Sequence, residues 1–338
     1  MSIVASSSRR NLLRGSLLAG AALALPATAV AQTPGKRRLL RMAHITDTHI
    51  QPERGAPEGV EQAFKHIQSQ ADKVDLVLHT GDMVMETFAA GRARTKTQWD
   101  LWTSVVKNGL SLPIQCALGN HDIWGWDKKK SETTGDEPEH GKKWACDVLG
   151  RAKPYTSFDA SGWHFVLLDS IRPFGDASYA AYLDDEQYEW LRADLAAVPE
   201  TTPVCVASHV PIVSITPFMF SAQDPATTQP AVESASVYKP TRGDYVVSGA
   251  LGHGDFRKLR TLFGQHKNVR LALSGHTHLV DRVDYAHTSY CCGGAICSGW
   301  WKSIHKGECD YGYNLYNLYD DGSFDREYVT YGWKTRET

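Results

Sequence analysis

The chain has 338 residues, with 36 Lys and Arg against 38 Asp and Glu and a formal net charge of −2. That balance provides no electrostatic footprint for nucleic acid or an anionic membrane surface, and no nucleic-acid module is evident. Seven cysteines without a C-x-x-C spacing exclude a zinc-thiolate or dithiol redox motif.

The first segment is expected to lie outside the fold. Paired arginines, Arg9-Arg10, precede an Ala/Leu-rich run from Leu12 to Leu25, and Ala29-Val30-Ala31 supplies a small-x-small cleavage site. This is the layout of a cleavable leader over residues 1–31, and the paired arginines are those of the twin-arginine route. The expectation is a partner in the twin-arginine export machinery, delivery to the periplasm or exterior, and no stable membrane anchor. Residues 32–338 read as one domain.

Strand and helix signals then alternate. Buried strands are expected over Leu39–Ile45, Asp75–His79, Pro113–Leu118, Trp163–Leu168, Pro203–Ala207 and Val269–Leu273. Amphipathic helices are expected over Glu58–Gln70, Thr97–Val106, Asp184–Ala197 and Asp255–Gln265. This repetition implies an α/β layered fold. After Asp281 the sequence turns rich in Tyr, Trp and Thr, with a hairpin signal at Asp321-Gly322. That region is expected to form antiparallel strands completing a second sheet. Two long insertions interrupt the rhythm, near 123–155 (Trp124, Trp126, Trp144) and near 212–252 (Phe218, Phe220, Tyr238, Tyr245). Loops this long are usually functional or disordered. Cys291, Cys292, Cys297 and Cys309 cluster closely enough to offer one bridge, whereas Cys116 and Cys205 read as buried.

Five short signatures occur in order, each where an apolar strand ends. They are Asp47-Thr48-His49, Gly81-Asp82, Gly119-Asn120-His121-Asp122, Ser208-His209 and Gly275-His276-Thr277-His278. Strand carboxyl ends of an open α/β sheet converge on one crevice, so distant segments can deliver side chains to one spot. An Asp/Asn/His set without Cys suits Zn, Mn or Fe. His44 and His79 lie three residues before a motif aspartate, an odd offset that turns them to the opposite strand face as core or surface histidines. His253 closes the second insertion and is a further candidate for the crevice.

The set D-x-H, G-D, G-N-H-D, lone H and G-H-x-H resembles the calcineurin-like metallophosphoesterase superfamily. Within it, Ile45-Thr46-Asp47-Thr48-His49 and Leu183-Asp184-Asp185-Glu186-Gln187 followed by Trp190-Leu191 resemble the bacterial cyclic-nucleotide phosphodiesterase-like branch. The resemblance implies two packed mixed β-sheets flanked by helices, a four-layer sandwich. It implies two transition-metal ions (Mn, Fe or Zn), one on Asp47, His49 and His278 and the other on Asn120, His209 and His276, with Asp82 bridging. It also implies hydrolysis of a small-molecule phosphoester by a metal-bridging hydroxide, with His121 catalytic at the leaving oxygen or the developing charge and Asp122 supporting from behind the ligands. Two departures narrow the branch. Purple acid phosphatases place a tyrosine ligand three residues after the G-D aspartate, where this chain has Met85. Serine/threonine protein phosphatases continue as G-D-x-V-D-R-G, where this chain has Gly81-Asp82-Met83-Val84-Met85-Glu86-Thr87. A phosphodiester is the expected substrate; a phosphomonoester, or a non-catalytic binding protein on the same fold, is the alternative.

Overall fold

The alternation of apolar residues in Arg38–Ile45 serves two interiors at once. Leu40 and Met42 turn to one side of the strand, Ala43 and Ile45 to the other, and all four are buried. A strand covered on both faces belongs inside a layered α/β unit. A computed structural model of the protein describes residues 35–221 and 247–335. The expected leader and the side chains of Phe220, Tyr238 and Tyr245 lie outside the described residues.

In chain order the first elements are β1 (Arg38–Ile45), α1 (Ala56–Gln68), β2 (Leu76–His79), α2 (Arg92–Gly109), β3 (Ile114–Cys116), α3 (Lys128–Ser131) and α4 (Lys143–Val148). Next come β4 (Thr156–Ala160), β5 (Trp163–Leu167), β6 (Ile171–Pro173), β7 (Tyr179–Ala181), α5 (Asp185–Ala197) and β8 (Val204–Ala207). Last are α6 (Phe218–Ser221), α7 (Phe256–Gln265), β9 (Val269–Ser274), β10 (Val280–Tyr285), β11 (Thr288–Gly293), β12 (Gly312–Tyr319) and β13 (Phe324–Thr330). The expected strands and helices all form. Helix α2 starts five residues earlier than expected, because its first turn, Arg92-Ala93-Arg94, is charged and carries no apolar period.

The strands make two mixed sheets, ordered β13-β12-β1-β2-β3 and β10-β11-β9-β8-β5-β4, with β6-β7 as a separate hairpin. Strands β1, β2 and β3 run parallel, as do β5, β8 and β9. Leu40, Met42, Leu78, Phe165, Leu167 and Leu273 fill the space between the sheets. Helices α1 and α2 cover the outside of the first sheet through Phe64, Trp99 and Trp102. Helices α5 and α7 cover the second through Leu191, Leu195, Leu259 and Phe263. The four-layer expectation holds.

The C-terminal region divides differently from the expectation. Strands β10 and β11 extend the second sheet, β11 pairing parallel with β9, whereas β12 and β13 complete the first sheet against β1. Strand alternation reveals which face is apolar but not which edge of which sheet will be joined. All seven cysteines are buried free thiols, so the bridge offered by the C-terminal four is not formed.

His44 and His79 are buried core residues. His44 Nε2 meets Thr80 Oγ1 at 2.9 Å, and His79 Nδ1 accepts from the Gly81 N–H at 3.0 Å. His164 instead ties three elements together, its Nδ1 2.7 Å from Asp159 of β4 and its Nε2 3.0 Å from Asp194 of α5. Burial opposes its charge, but Asp194 and Asp159 outweigh burial and raise its pKa above the ordinary 6.5. A raised imidazole stabilises the fold fully below the unfolded pKa, and that contribution is lost as pH rises through the folded one. The stability gap between wild type and His164→Gln, measured by urea unfolding, is therefore expected to be widest below about pH 6.5 and to narrow above it. A gap that widens with pH would contradict the assignment.

Candidate metal centre

Five strand ends deliver the motif residues to one crevice. The loops after β1, β2 and β3 carry Asp47 and His49, Asp82, and Asn120. The loops after β8 and β9 carry His209, and His276 and His278. Backbone hydrogen bonds lock these loops to one another. Asp47 N–H donates to Gly81 O at 3.0 Å, His49 N–H to Asp82 O at 3.1 Å, and Gly275 N–H to His209 O at 3.0 Å.

Five of the seven candidate ligands have left-handed backbone. Their φ values are 52° at Asp47, 40° at His49, 59° at Asp82, 70° at His276 and 56° at His278. Such conformations cost of order 1–3 kcal/mol each outside glycine and persist where surrounding structure over-determines them, typically at functional sites. The motif glycines have a steric reason. A Cβ on Gly119 would lie 2.1 Å from Asp82 Oδ1, and one on Gly275 would lie 1.9 Å from Thr46 Oγ1 and 2.4 Å from Asp47 Oδ2.

The donors fall into two clusters that share Asp82. In one, His49 Nε2 is 3.1 Å from His278 Nε2, and Asp47 Oδ1 is 3.3 Å from His278 Nε2 and 3.7 Å from His49 Nε2. In the other, His209 Nε2 is 3.1 Å from both Asn120 Oδ1 and His276 Nδ1. Asp82 Oδ2 reaches both, 3.6 Å from His49 Nε2 and 3.1 Å from His209 Nε2. The structure thus brings together the side chains that the family resemblance assigns to each of the two ions.

The residues present fit a pair of cations. His209 Nδ1 donates to Thr80 O at 2.9 Å and His278 Nδ1 donates to Ser298 O, which leaves each Nε2 turned to the crevice as a potential ligand. Asp47 Oδ1 and His276 Nε2 are enclosed and have no hydrogen-bond partner among the described residues. Burial works against ionisation of Asp47 and Asp82, yet the neighbouring imidazoles hold both carboxyls well below the usual range. Burial also opposes charge on His209, and Asp82 outweighs it, pushing the imidazole up to about 9. The site therefore carries ionised carboxylates and attracts positive charge to its centre, the condition that binding of cations by proton displacement requires.

Two candidate catalytic residues take different places. His121 is half-buried, edge-on to His49 at a ring-centroid distance of 4.6 Å, and its Nδ1 donates to Met85 O. Asp122 is fully buried. Its Oδ2 accepts from the N–H groups of Asp82 and Gly119, each at 2.9 Å, and its Oδ1 from those of Met83 and Val84 at 2.8 and 3.2 Å. Both oxygens of Asp122 are thus committed to backbone, tying the Asp82 loop to the Gly119–Asn120 loop.

His253 does not enter the crevice. It stands between Asp255 and Ser208, with Nδ1 and Nε2 each 2.9 Å from its partner, and so braces the residue before His209. The insertion aromatics also separate. Trp124 is buried, donating to Ala90 O and packed on Trp144, and is a core residue. Trp126 is half-buried against Phe88, which contacts Tyr179, whose ring lies 6.2 Å from that of His276. Trp301 is buried and its indole N–H donates to Thr48 O, whereas Trp300 stands 4.5 Å from the His278 ring and 6.3 Å from that of His49. Phe88 and Tyr179 carry no motif signal, and only the hairpin β6-β7 brings Tyr179 to the crevice. Cys297 was not foreseen here either; its sulfur is 3.8 Å from His278 Nδ1, the nitrogen turned away from His49.

Gly275→Ala is expected to reduce bound metal severely while the protein still folds, because the methyl group displaces Thr46 and Asp47 from their positions. Metal content by elemental analysis, together with circular dichroism, checks this. An unchanged metal stoichiometry would contradict the steric account.

The model of calcineurin-like phosphoesterases matches residues 40–280. Among curated proteins, purple acid phosphatase 15 of Arabidopsis thaliana is 34% identical over 118 residues, covering 34% of this chain and 20% of that protein. Purple acid phosphatase 22 of the same plant is 29% identical over 166 residues, covering 46% and 33%. The chain thus spans a third or less of the length of these two relatives. Among solved structures, a dimetal phosphatase from Danio rerio has a TM-score of 0.56 at 13% identity, covering 87% of this chain and 97% of that one. Purple acid phosphatase PPD1 from yellow lupin seeds has a TM-score of 0.52 at 17% identity, covering 88% and 52%. The structural matches bear on the fold alone, and the relatives found are purple acid phosphatases, not cyclic-nucleotide phosphodiesterases. The family match spans most of the chain and includes all five motifs, and on that ground the chain belongs to the calcineurin-like phosphoesterase family.

Proposed function

We propose that this protein is a dinuclear phosphoesterase whose substrate is a phosphodiester bearing a flat or apolar group. The observation that carries the reading is the shared Asp82 carboxylate between two O/N donor clusters, set between aromatic walls. Asp47, His49 and His278 would hold one ion, Asn120, His209 and His276 the other, with Asp82 contributing to both. Mn, Fe and Zn suit such donors. Two such ions supply Lewis acidity and a nucleophile of lowered pKa. The chain's own residues do the rest. Asp122 and its four backbone donors keep the Asp82 and Asn120 loops in register. His121, anchored through Nδ1 on Met85 O, has Nε2 left to hold a proton for the leaving oxygen. Trp300 on the His278 side and the Trp126–Phe88–Tyr179 group on the His276 side offer ring faces to a substituent beside the phosphorus. A phosphomonoesterase with the same donors is the second reading, favoured by the purple acid phosphatases among its relatives.

Manganese-loaded protein is expected to turn over bis(p-nitrophenyl) phosphate with kcat/KM at least about tenfold above p-nitrophenyl phosphate, a difference of ~1.4 kcal/mol. Trp300→Ala is expected to erase most of that preference. The reverse preference in wild type would establish the monoesterase, and turnover of neither would return the protein to a binding role.

His121→Ala is expected to lower kcat by roughly 10²–10⁴ while metal content stays at the wild-type level. The loss should shrink for esters with good leaving groups, which need little protonation. Equal loss across leaving groups would assign His121 to charge stabilisation instead.

A further inference from the structure

The hairpin β6-β7 belongs to neither large sheet, yet it carries Tyr179 to the crevice. Its strands pair over three residues each. A two-stranded hairpin of that size is marginal by itself, so its placement depends on anchors. Backbone ties its base, Tyr182 N–H donating to Ser170 O at 3.1 Å and Gly254 N–H to Ala181 O at 2.7 Å. Charge holds its first strand. Asp169, just before β6 and 1% exposed, receives Lys142 Nζ and Arg172 Nη1, each 2.6 Å from its Oδ2. Arg172 Nη2 also lies 2.9 Å from Asp184 Oδ2. Burial lowers the Lys142 pKa, with Asp169 opposing the shift. Burial likewise opposes ionisation of Asp169, but Lys142 and Arg172 outweigh it and hold the carboxyl below the usual range.

Lys142 comes from a different part of the chain, the first insertion, where it precedes α4. Its Nζ also donates to Ile171 O and stands 5.4 Å from the centroid of the Trp126 ring. Trp126 is fitted to the same stretch of backbone, since a Cβ on Gly141 would lie 3.2 Å from its Nε1. Ile171 in turn shares a buried cluster with Ala181 and Val210, and Trp126 and Tyr179 pack against that cluster. One ammonium therefore meets the Asp169 carboxylate, the hairpin carbonyl and the tryptophan ring. None of these partners is a candidate metal ligand. A buried ion pair is a costly means of stabilisation, and apolar residues of similar volume often serve as well. Directed N–H bonds add something that apolar packing does not, a fixed relative placement of the groups they join.

We propose that Lys142 is a positioning residue for substrate choice, a role that rests on the phosphodiester reading above. By tying the β6-β7 hairpin to the Trp126 segment it fixes the aromatic wall on the His276 side, and it does so without touching the substrate. A wall held in place beforehand spares the bound ester the cost of ordering it. Loss of the ammonium leaves Trp126 and Tyr179 less firmly placed relative to each other, so the penalty falls on binding of a flat substituent and not on the chemical step.

The test compares two diesters on manganese-loaded full-length protein, bis(p-nitrophenyl) phosphate and methyl p-nitrophenyl phosphate. They share a leaving group and differ in the second substituent, flat in one and small in the other. Lys142→Met, which keeps the aliphatic stem, is expected to raise KM for the bis-aryl ester at least about fivefold, with kcat and the methyl ester's KM within about twofold of wild type. Lys142→Arg keeps the charge and should restore most of the wild-type KM. On a Tyr179→Ala background, Lys142→Met should add little, because the two changes remove one arrangement. Should the methionine variant fail to fold, Lys142→Gln takes its place with the same expectation. A KM rise equal on both diesters, or a loss confined to kcat, overturns the proposal and leaves the phosphodiester reading standing. Turnover of neither diester by metal-loaded wild type overturns that reading and the role of Lys142 with it.

Discussion

Two carboxylates, Asp47 and Asp82, are withdrawn from water at the floor of the crevice, at 0% and 2% exposure. Buried anions are tolerated only where charge and hydrogen bonds compensate them. Everything around them serves that requirement. The imidazoles of His49, His209 and His278 face them, Thr46 Oγ1 and the His276 N–H donate to Asp47 Oδ2 at 2.6 and 3.0 Å, and the His121 N–H donates to Asp82 Oδ1 at 2.8 Å. Left-handed backbone at five ligands is the geometric consequence. An extended segment would carry alternate side chains away from the crevice, whereas a turn at each strand end brings them all inward.

The layered α/β fold and the strand ends that carry the motifs were legible in the sequence because both rest on local patterns, whereas the four-layer sandwich was implied by the family resemblance. Apolar runs of strand length stop at Ile45, His79, Cys116, Ala207 and Ser274, and a motif follows each. Parallel strands then place those motifs together without further information. What the sequence did not disclose depends on pairing. The destination of β11 beside β9, and of β12 beside β1, is a choice among edges that alternation cannot express. Trp300 and Trp301 are adjacent and chemically alike, yet one faces the crevice and the other the core, because both sit at positive φ, 54° and 66°, in a turn with no strand alternation. Asp122 shares a motif with His121, and the particular backbone N–H groups its carboxylate accepts from, those of Asp82, Met83, Val84 and Gly119, depend on how the two loops meet.

The aromatic residues around the crevice divide by burial rather than by sequence neighbourhood. Trp124, Trp301 and Trp333 are enclosed, and Trp301 links the Asp47 loop to the core through Thr48 O and its edge contact with Trp333. Trp126, Tyr179 and Trp300 are only half-buried. The first group makes the crevice rigid and the second leaves ring surface accessible beside it. Rigid support behind an adaptable wall is the arrangement expected where reacting groups must hold position while bound groups vary.

The pairing of β1 with β12 also bears on how the chain is made. Strand β1 lies in the middle of its sheet, with Arg38 paired to Tyr319 and His44 to Asn314. A ribosome emits the early strand long before its late partner, at roughly 5–20 residues per second. Throughout that interval one side of β1 presents open N–H and C=O groups, a template for mispairing with other chains. The first sheet can therefore close on that side only after β12 has emerged, so a central pairing of the fold waits on one of its latest elements.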